Sequence, residues 1–190
     1  MSREKILAAI KKHQPSERAL PPLYIPSVAR GESVETFKTI LVRIGGSVVE
    51  VKSKREIEEY LHQNFASMGR WVSLVEGVGE RNALNDDPHT LENVVLAVVN
   101  GEFGVAENGA IWITDAAMGD RALPFITQNL AVVIKRNSIV PTLHEAYEKI
   151  GNASYAYGTF IAGPSKTADI EQSLVLGAHG PVSMSVILVG

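Results

Sequence analysis

The run NVVLAVV, residues 93–99, decides the fold. Six apolar side chains follow one another without a polar interruption. Successive side chains of a strand point to opposite faces, so this strand needs apolar cover on both sides. A parallel or mixed sheet held between helix layers supplies that cover. Further apolar runs at Ser47–Val51, 71–75, Ala110–Thr114, 130–135, 157–162 and 182–189 predict more strands. Between them lie helical patterns. Ser2 precedes a short one with Ile6, Leu7 and Ile10 on one side, and Ser33 precedes a second with Val34, Phe37, Ile40, Leu41 and Ile44, closed by Gly45. Ser53 and Glu56 form a capping box before Ile57, Tyr60, Leu61, Phe65 and Met68, and Thr142 and Glu145 form another before Ala146, Tyr147 and Ile150. Helix-then-strand order through residues 33–75 favours α/β architecture, a three-layer α/β/α arrangement with a mainly parallel or mixed sheet. Residues 15–31 hold four prolines and read as an extended arm. The expected division is a helix and proline-rich arm over 1–32 and one α/β domain over 33–190.

Composition narrows the function. The chain has 190 residues, 45% hydrophobic and 21% charged, with a net charge of −3. That is enough chain to bury a core, and it is ordinary globular usage. No basic stripe speaks for nucleic acid. No apolar stretch reaches the roughly 18–20 residues of a membrane span. The first twelve residues lack the pattern of a secretory signal, so the expected location is the cytoplasm. There is no cysteine, hence no disulfide, no catalytic thiol and no thiolate-held iron–sulfur cluster in this sequence.

Two stretches carry candidate chemistry. In GPSKTADIEQSLVLGAHGP, residues 163–181, a strand is expected to end at Gly163-Pro164. Ser165, Lys166 and Thr167 would then lead into a helix carrying Ile170, Leu174 and Val175. A helix mouth presents N–H groups and a positive dipole end, which suits a carboxylate or phosphate. The plainer reading makes Ser165 or Thr167 a helix cap and leaves Lys166 solvated. Asp169 either complements the helix dipole or serves as a general base or orienting acceptor. His179, between Gly177-Ala178 and Gly180-Pro181, either holds a turn or exchanges a proton near neutral pH. In FGVAENGAIWIT, residues 103–114, Glu107, Asn108 and Gly109 read either as a tight turn or as a cleft edge. In a cleft the acid would move a proton and the amide would bind a substrate oxygen. Arg121 follows the strand end at Thr114-Asp115 and would clamp a carboxylate or form a surface ion pair. Asp86, Asp87 and His89 suggest a metal, but Asp87 as cap with Pro88 in the first helical position explains them better, and no metal site is expected.

The segments GVAENGAIWIT, RALPF and GPSKTADIEQSLVLGAHGP together resemble the LUD-domain family, in its lactate utilization protein C branch. The resemblance runs from about residue 33 to the end. Lys166 stands where arginine is usual in the family, and Asn108 where threonine is usual. The resemblance implies a fold similar to the phosphosugar isomerase and CoA-transferase-like group. It also implies a role in oxidising L-lactate to pyruvate alongside iron–sulfur partner proteins, with no redox cofactor in this chain. The expected function is a cysteine-free subunit that binds a small anion at the helix mouth. Glu107, Asp169 and His179 would be catalytic there, and Asn108, Gly109, Arg121, Gly163, Ser165, Lys166 and Thr167 would bind ligand. Two alternatives stand beside it: a non-catalytic assembly or regulatory module, and a stand-alone enzyme of isomerase or acyl-transfer type with Glu107 as base or nucleophile. Oligomeric state is left open.

Overall fold

The computed structural model describes residues 2–16, 18–19, 21, 32–79, 87–168, 174–177 and 179–190, the side chains of 167, 168 and 174–176 excepted. Strands β1 (Ser47–Val51), β2 (Arg70–Ser73), β3 (Val94–Asn100), β6 (Asn129–Lys135) and β10 (Ser183–Val189) form one sheet in the order β1-β10-β6-β3-β2. Every neighbouring pair in it is parallel. Helix α2 (Ser33–Arg43) packs on one face and α3 (Lys54–Phe65) on the other. None of the described helices is long and apolar enough to cross a membrane.

The residues 93–99 behave as their pattern requires. On β3, Ala97 and Val99 join the core under α2, while Leu96 and Val98 join the core under α3. On β6, Leu130, Val132 and Ile134 face the first core and Ala131 and Val133 the second. Burying a side chain of this size contributes roughly 1.5–3 kcal/mol relative to leaving it in water. Phe37 and Leu41 anchor α2; Ile57, Leu61 and Phe65, spaced four apart, anchor α3.

The caps follow local chemistry. Ser53 Oγ accepts the Glu56 N–H at 3.3 Å, and Glu56 Oε2 accepts the Lys52 N–H at 3.0 Å. Thr142 Oγ1 accepts the Glu145 N–H at 3.3 Å at the start of α6 (Leu143–Ile150). The expectation at Ser33 is off by one residue, since Ser33 is already helical and Glu32 takes the cap position without a side-chain bond. Helix α1 (Arg3–Lys12), capped by Ser2, buries no residue, and Ile6, Leu7 and Ile10 are about half exposed.

Two of the expected strands lie outside the main sheet. Strand β5 (Ala110–Thr114) pairs antiparallel with β4 (Phe103–Val105) and with β7 (Gly158–Ile161). This three-stranded sheet covers the α2 side, together with the short helices α4 (Asp115–Met118) and α5 (Leu123–Ile126), whose Met118 and Leu123 reach the first core. An apolar run reports burial, and either sheet satisfies it.

A surface network ties α2 to the carboxyl end of the main sheet. Lys38 bonds Glu50 on β1 and, at 3.1 Å, Glu35; Arg136 Nε lies 3.4 Å from Glu50. The Lys38 bond, followed by the attraction of Arg136, holds the Glu50 carboxyl below the usual range, and Glu50, then Glu35, raises the Lys38 ammonium. A depressed carboxylate contributes stability above its unfolded pKa, lost as pH falls through the folded value. A raised ammonium contributes below its unfolded pKa, lost as pH rises through the folded value. The network therefore supports the fold in the neutral window and fades at both ends. In urea titrations Glu50→Gln should flatten the acid limb of stability against pH; an unchanged acid limb would show the network to be energetically silent. Phe37→Ala should lose roughly 3–5 kcal/mol in the same assay, whereas Ile6→Ala on the unburied face of α1 should stay within about 0.5 kcal/mol.

Candidate functional site

Ile44 caps the carboxyl end of helix α2, and Gly45 (φ +93°) turns the chain toward β1. Both signature stretches close on this turn. A Cβ on Gly109 would lie 3.2 Å from Ile44 Cδ1 and 3.2 Å from Leu41 Cα. A Cβ on Gly163 would lie 3.1 Å from Ile44 Cγ1 and 3.2 Å from the Ile44 carbonyl oxygen. Both glycines have φ near +70°, a region that other L-residues avoid. Residues 107–109 and 163–166, far apart in sequence, thus meet across one side chain. The Lys166 chain lies over Gly45, its Nζ 3.4 Å from where a Cβ there would stand.

The remainder of the 163–181 stretch folds onto the same place. The Ser165 N–H donates to the Pro181 carbonyl at 2.8 Å, and the Gly177 N–H to the Ser165 carbonyl at 3.1 Å. A Cβ on Gly180 would approach Ser165 Cβ to 3.1 Å. His179 is exposed between these contacts. Residues 45–46, 128 and 181–182 immediately precede β1, β6 and β10, so the cluster occupies the amino-terminal edge of the parallel sheet. Side-chain bonds seal that edge: Ser183 Oγ to Asn129 Oδ1 at 2.6 Å, and Asn129 Nδ2 to the Val95 carbonyl at 3.0 Å.

The helix expected after Ser165 does not form. Lys166–Ala168 is strand β8, paired antiparallel with β9 (Leu174–Leu176). The anion site at a helix mouth is therefore corrected: among the described residues no helix starts at Ser165–Thr167, and Thr167 is no N-cap. The Ser165 N–H is spent on Pro181, which fixes the chain in a hairpin rather than a helical turn. Asp169 lies outside the described residues, as does the Thr167 side chain.

Glu107 is exposed, but its carboxylate has a task. Oε1 accepts the Leu143 N–H at 2.7 Å, adding an anion to the first turn of α6. Asn108 Oδ1 accepts the Ala110 N–H at 3.0 Å, an Asx turn. Both groups hold backbone at the cluster's rim. Arg121 is not brought there. Its contacts are Asp115, at 3.4 Å, and the Tyr157 ring, 5.3 Å away. The strand end it follows belongs to the antiparallel sheet and not to the carboxyl edge of the parallel one. Asp87 caps the 3-10 turn Pro88–Leu91, accepting from the His89 N–H at 3.0 Å and bonding His89 Nδ1 at 2.8 Å. These two bonds, the ring nitrogen's first, hold its carboxyl below the usual range. Asp86 lies outside the described residues, among which no three metal-ligating side chains gather.

Sequence reasoning missed Ile44. It reads as one more apolar position of α2, and only the glycines packed against it mark it as the pivot. It also missed residues 135–137, where β6 ends in Lys-Arg-Asn at the carboxyl edge of the sheet.

An all-parallel sheet between two cores, flanked by helices and a smaller antiparallel sheet, with glycine-lined loops gathered at one edge, defines an α/β protein of three layers. Residues 88–189 match the LUD domain, and the chain belongs to that family. It is 30% identical over 177 residues to lactate utilization protein C 1 of Bacillus mycoides, covering 85% of this chain and 74% of that protein. It is 26% identical over 165 residues to lactate utilization protein C of Bacillus pumilus, covering 83% and 69%. A DUF162 family protein from Deinococcus radiodurans shares the fold, with a TM-score of 0.61 and 21% identity over 86% of this chain and all of that one.

Gly109→Ala and Gly163→Ala should each lower stability, by about 1–2 kcal/mol from the left-handed backbone alone. Combining Gly163→Ala with Ile44→Ala should cost less than the sum of the two, because the truncated Ile44 yields space. Strict additivity in denaturant melts would remove Ile44 as the pivot.

Proposed function

We propose that the chain serves lactate utilization, as a cysteine-free component of a system that oxidises L-lactate to pyruvate. The names of its relatives support the pathway. The observation that supports a ligand site is the meeting of residues 107–109 and 163–166 on Ile44, with Ser165, Lys166, His179 and Asn108 around it. In this reading Lys166 receives the substrate carboxylate as a point charge, and the Ser165 hydroxyl and Asn108 amide orient its oxygens. Glu107, Asp169 and His179 are the proton-handling groups. Lactate oxidation releases two electrons, and this sequence has no thiolate to hold a cluster. The electrons pass to iron–sulfur partner proteins, and the chain works in the cytoplasm.

The assembly-module reading uses the same exposed groups to dock a partner instead. The stand-alone enzyme with Glu107 as nucleophile is less supported, because Oε1 of that carboxylate already holds the start of α6.

Thermal-shift titration decides between a ligand site and a docking surface. L-lactate or pyruvate should raise the melting temperature of the purified chain. Lys166→Ala should weaken that binding by about 1.5 kcal/mol, the low end for a charge-assisted bond at an exposed side chain. The isolated chain should not oxidise lactate with an artificial acceptor; with its iron–sulfur partners it should, and His179→Ala should slow it. Turnover by the chain alone, or no stabilisation by either acid, would overturn the proposal.

A further inference from the structure

The opposite edge of the sheet holds a different set of groups. Two adjoining cavities, about 510 and 330 Å³, open at the carboxyl ends of β6 and β10 and share Val34, Arg136 and Asn137. Volumes of this size suit a small organic ligand, and the carboxyl edge is where open parallel α/β sheets bind theirs. The larger cavity adds Val189 and Gly190 on one wall and Lys135 on the other. The smaller one reaches the first turn of α2 at Ser33.

Ser33 is the observation that points to a ligand. It is 2% exposed, it lines the smaller cavity, and its Oγ has no hydrogen-bond partner among the described residues. A buried hydroxyl left unsatisfied is destabilising, so a native chain rarely keeps one without a partner. Glu32, in the cap position, makes no side-chain cap bond, and the first turn of α2, with its positive dipole end, lines the same space at Ser33 and Val34. Arg136 stands beside it. Its Nε faces Glu50 at 3.4 Å and its Nη2 faces Glu35 at 4.0 Å, which sets the guanidinium at the rim of both cavities. Glu35, the one acid in the first turn of α2, is offset by Lys38 at 3.1 Å.

We propose that this trough is an anion-binding site, distinct from the glycine cluster, that holds the phosphoryl or carboxylate head of a small organic ligand between Ser33, Arg136 and Asn137. The Ser33 hydroxyl and the Arg136 guanidinium donate to the oxyanion, and the Asn137 amide adds a donor. The apolar flank of Val34 and Val189 receives the body of the ligand. Lys135 draws the anion in from solvent.

Isothermal titration with inorganic phosphate, AMP and L-lactate, on the wild-type chain and on Ser33→Ala, Asn137→Ala, Arg136→Gln and Lys166→Ala, tests this. Binding of AMP and phosphate assigns a phosphoryl head; binding of lactate that survives Lys166→Ala assigns a carboxylate. In either case Arg136→Gln should raise the dissociation constant about tenfold or more, and Asn137→Ala should raise it less. Ser33→Ala should also weaken binding while leaving the ligand-free melting temperature unchanged or higher, since it removes a hydroxyl that has no partner. A merely structural Ser33 would lower the melting temperature and spare binding, and that result overturns the proposal. So does the absence of binding by all three probes, or binding that Lys166→Ala abolishes and Arg136→Gln leaves intact.

Discussion

Everything in this chain hangs on β6 and its neighbours being apolar on both faces. A strand in that position cannot meet water on either side, so it dictates two cores and a covering layer for each. The α2 side takes the larger share, with a helix, two short helices and an antiparallel sheet. The α3 side is met by one long described helix through three side chains four residues apart. Because β3, β6 and β10 run parallel, their two ends differ in kind. One end gathers the residues that enter strands, and the other gathers those that leave them.

The family's signature loops occupy the entering end. Their conformation is set beside Ile44: two glycines take left-handed backbone there, and a Cβ on either would press to 3.1–3.2 Å against Ile44. The glycines thus fix where Ser165, Lys166 and His179 can stand. Glu107 extends the arrangement by joining the hairpin turn to the start of α6. A loop held at both its glycine and its carboxylate is a rigid support for the groups beside it.

Much of this was legible in the sequence because it is locally written. The run at 93–99 forces two-sided burial whatever its partners. The caps at Ser53 and Thr142 depend on residues three apart, and both N-cap bonds form. The hairpin of β8 and β9 was not legible. Ser, Thr and Asp suit the start of a helix and the start of a turn equally well. The choice falls to a bond from Ser165 to Pro181 and to the pairing of Lys166 with Leu176, neither of which a local pattern records. The same holds for Glu107, whose helix partner is 36 residues away. Arg121 looked like a clamp because it follows a strand end, but that strand sits in the antiparallel sheet, and sequence periodicity does not name a strand's neighbours.

Glu50 has a consequence beyond the ion pairs it makes. Strand β1 pairs with β10 on one side and with no described strand on the other, so it is an open border of the sheet. An unpaired border invites the matching border of a second molecule, and a charged side chain on it makes that joining unfavourable. Glu50, held in place by Lys38 and Arg136, puts such a charge at the carboxyl end of β1. The opposite border, β2, opens with Arg70, whose guanidinium bonds the Thr90 carbonyl. Each outer strand therefore carries one charge fixed by its neighbours, which makes edge-to-edge pairing of two such sheets costly.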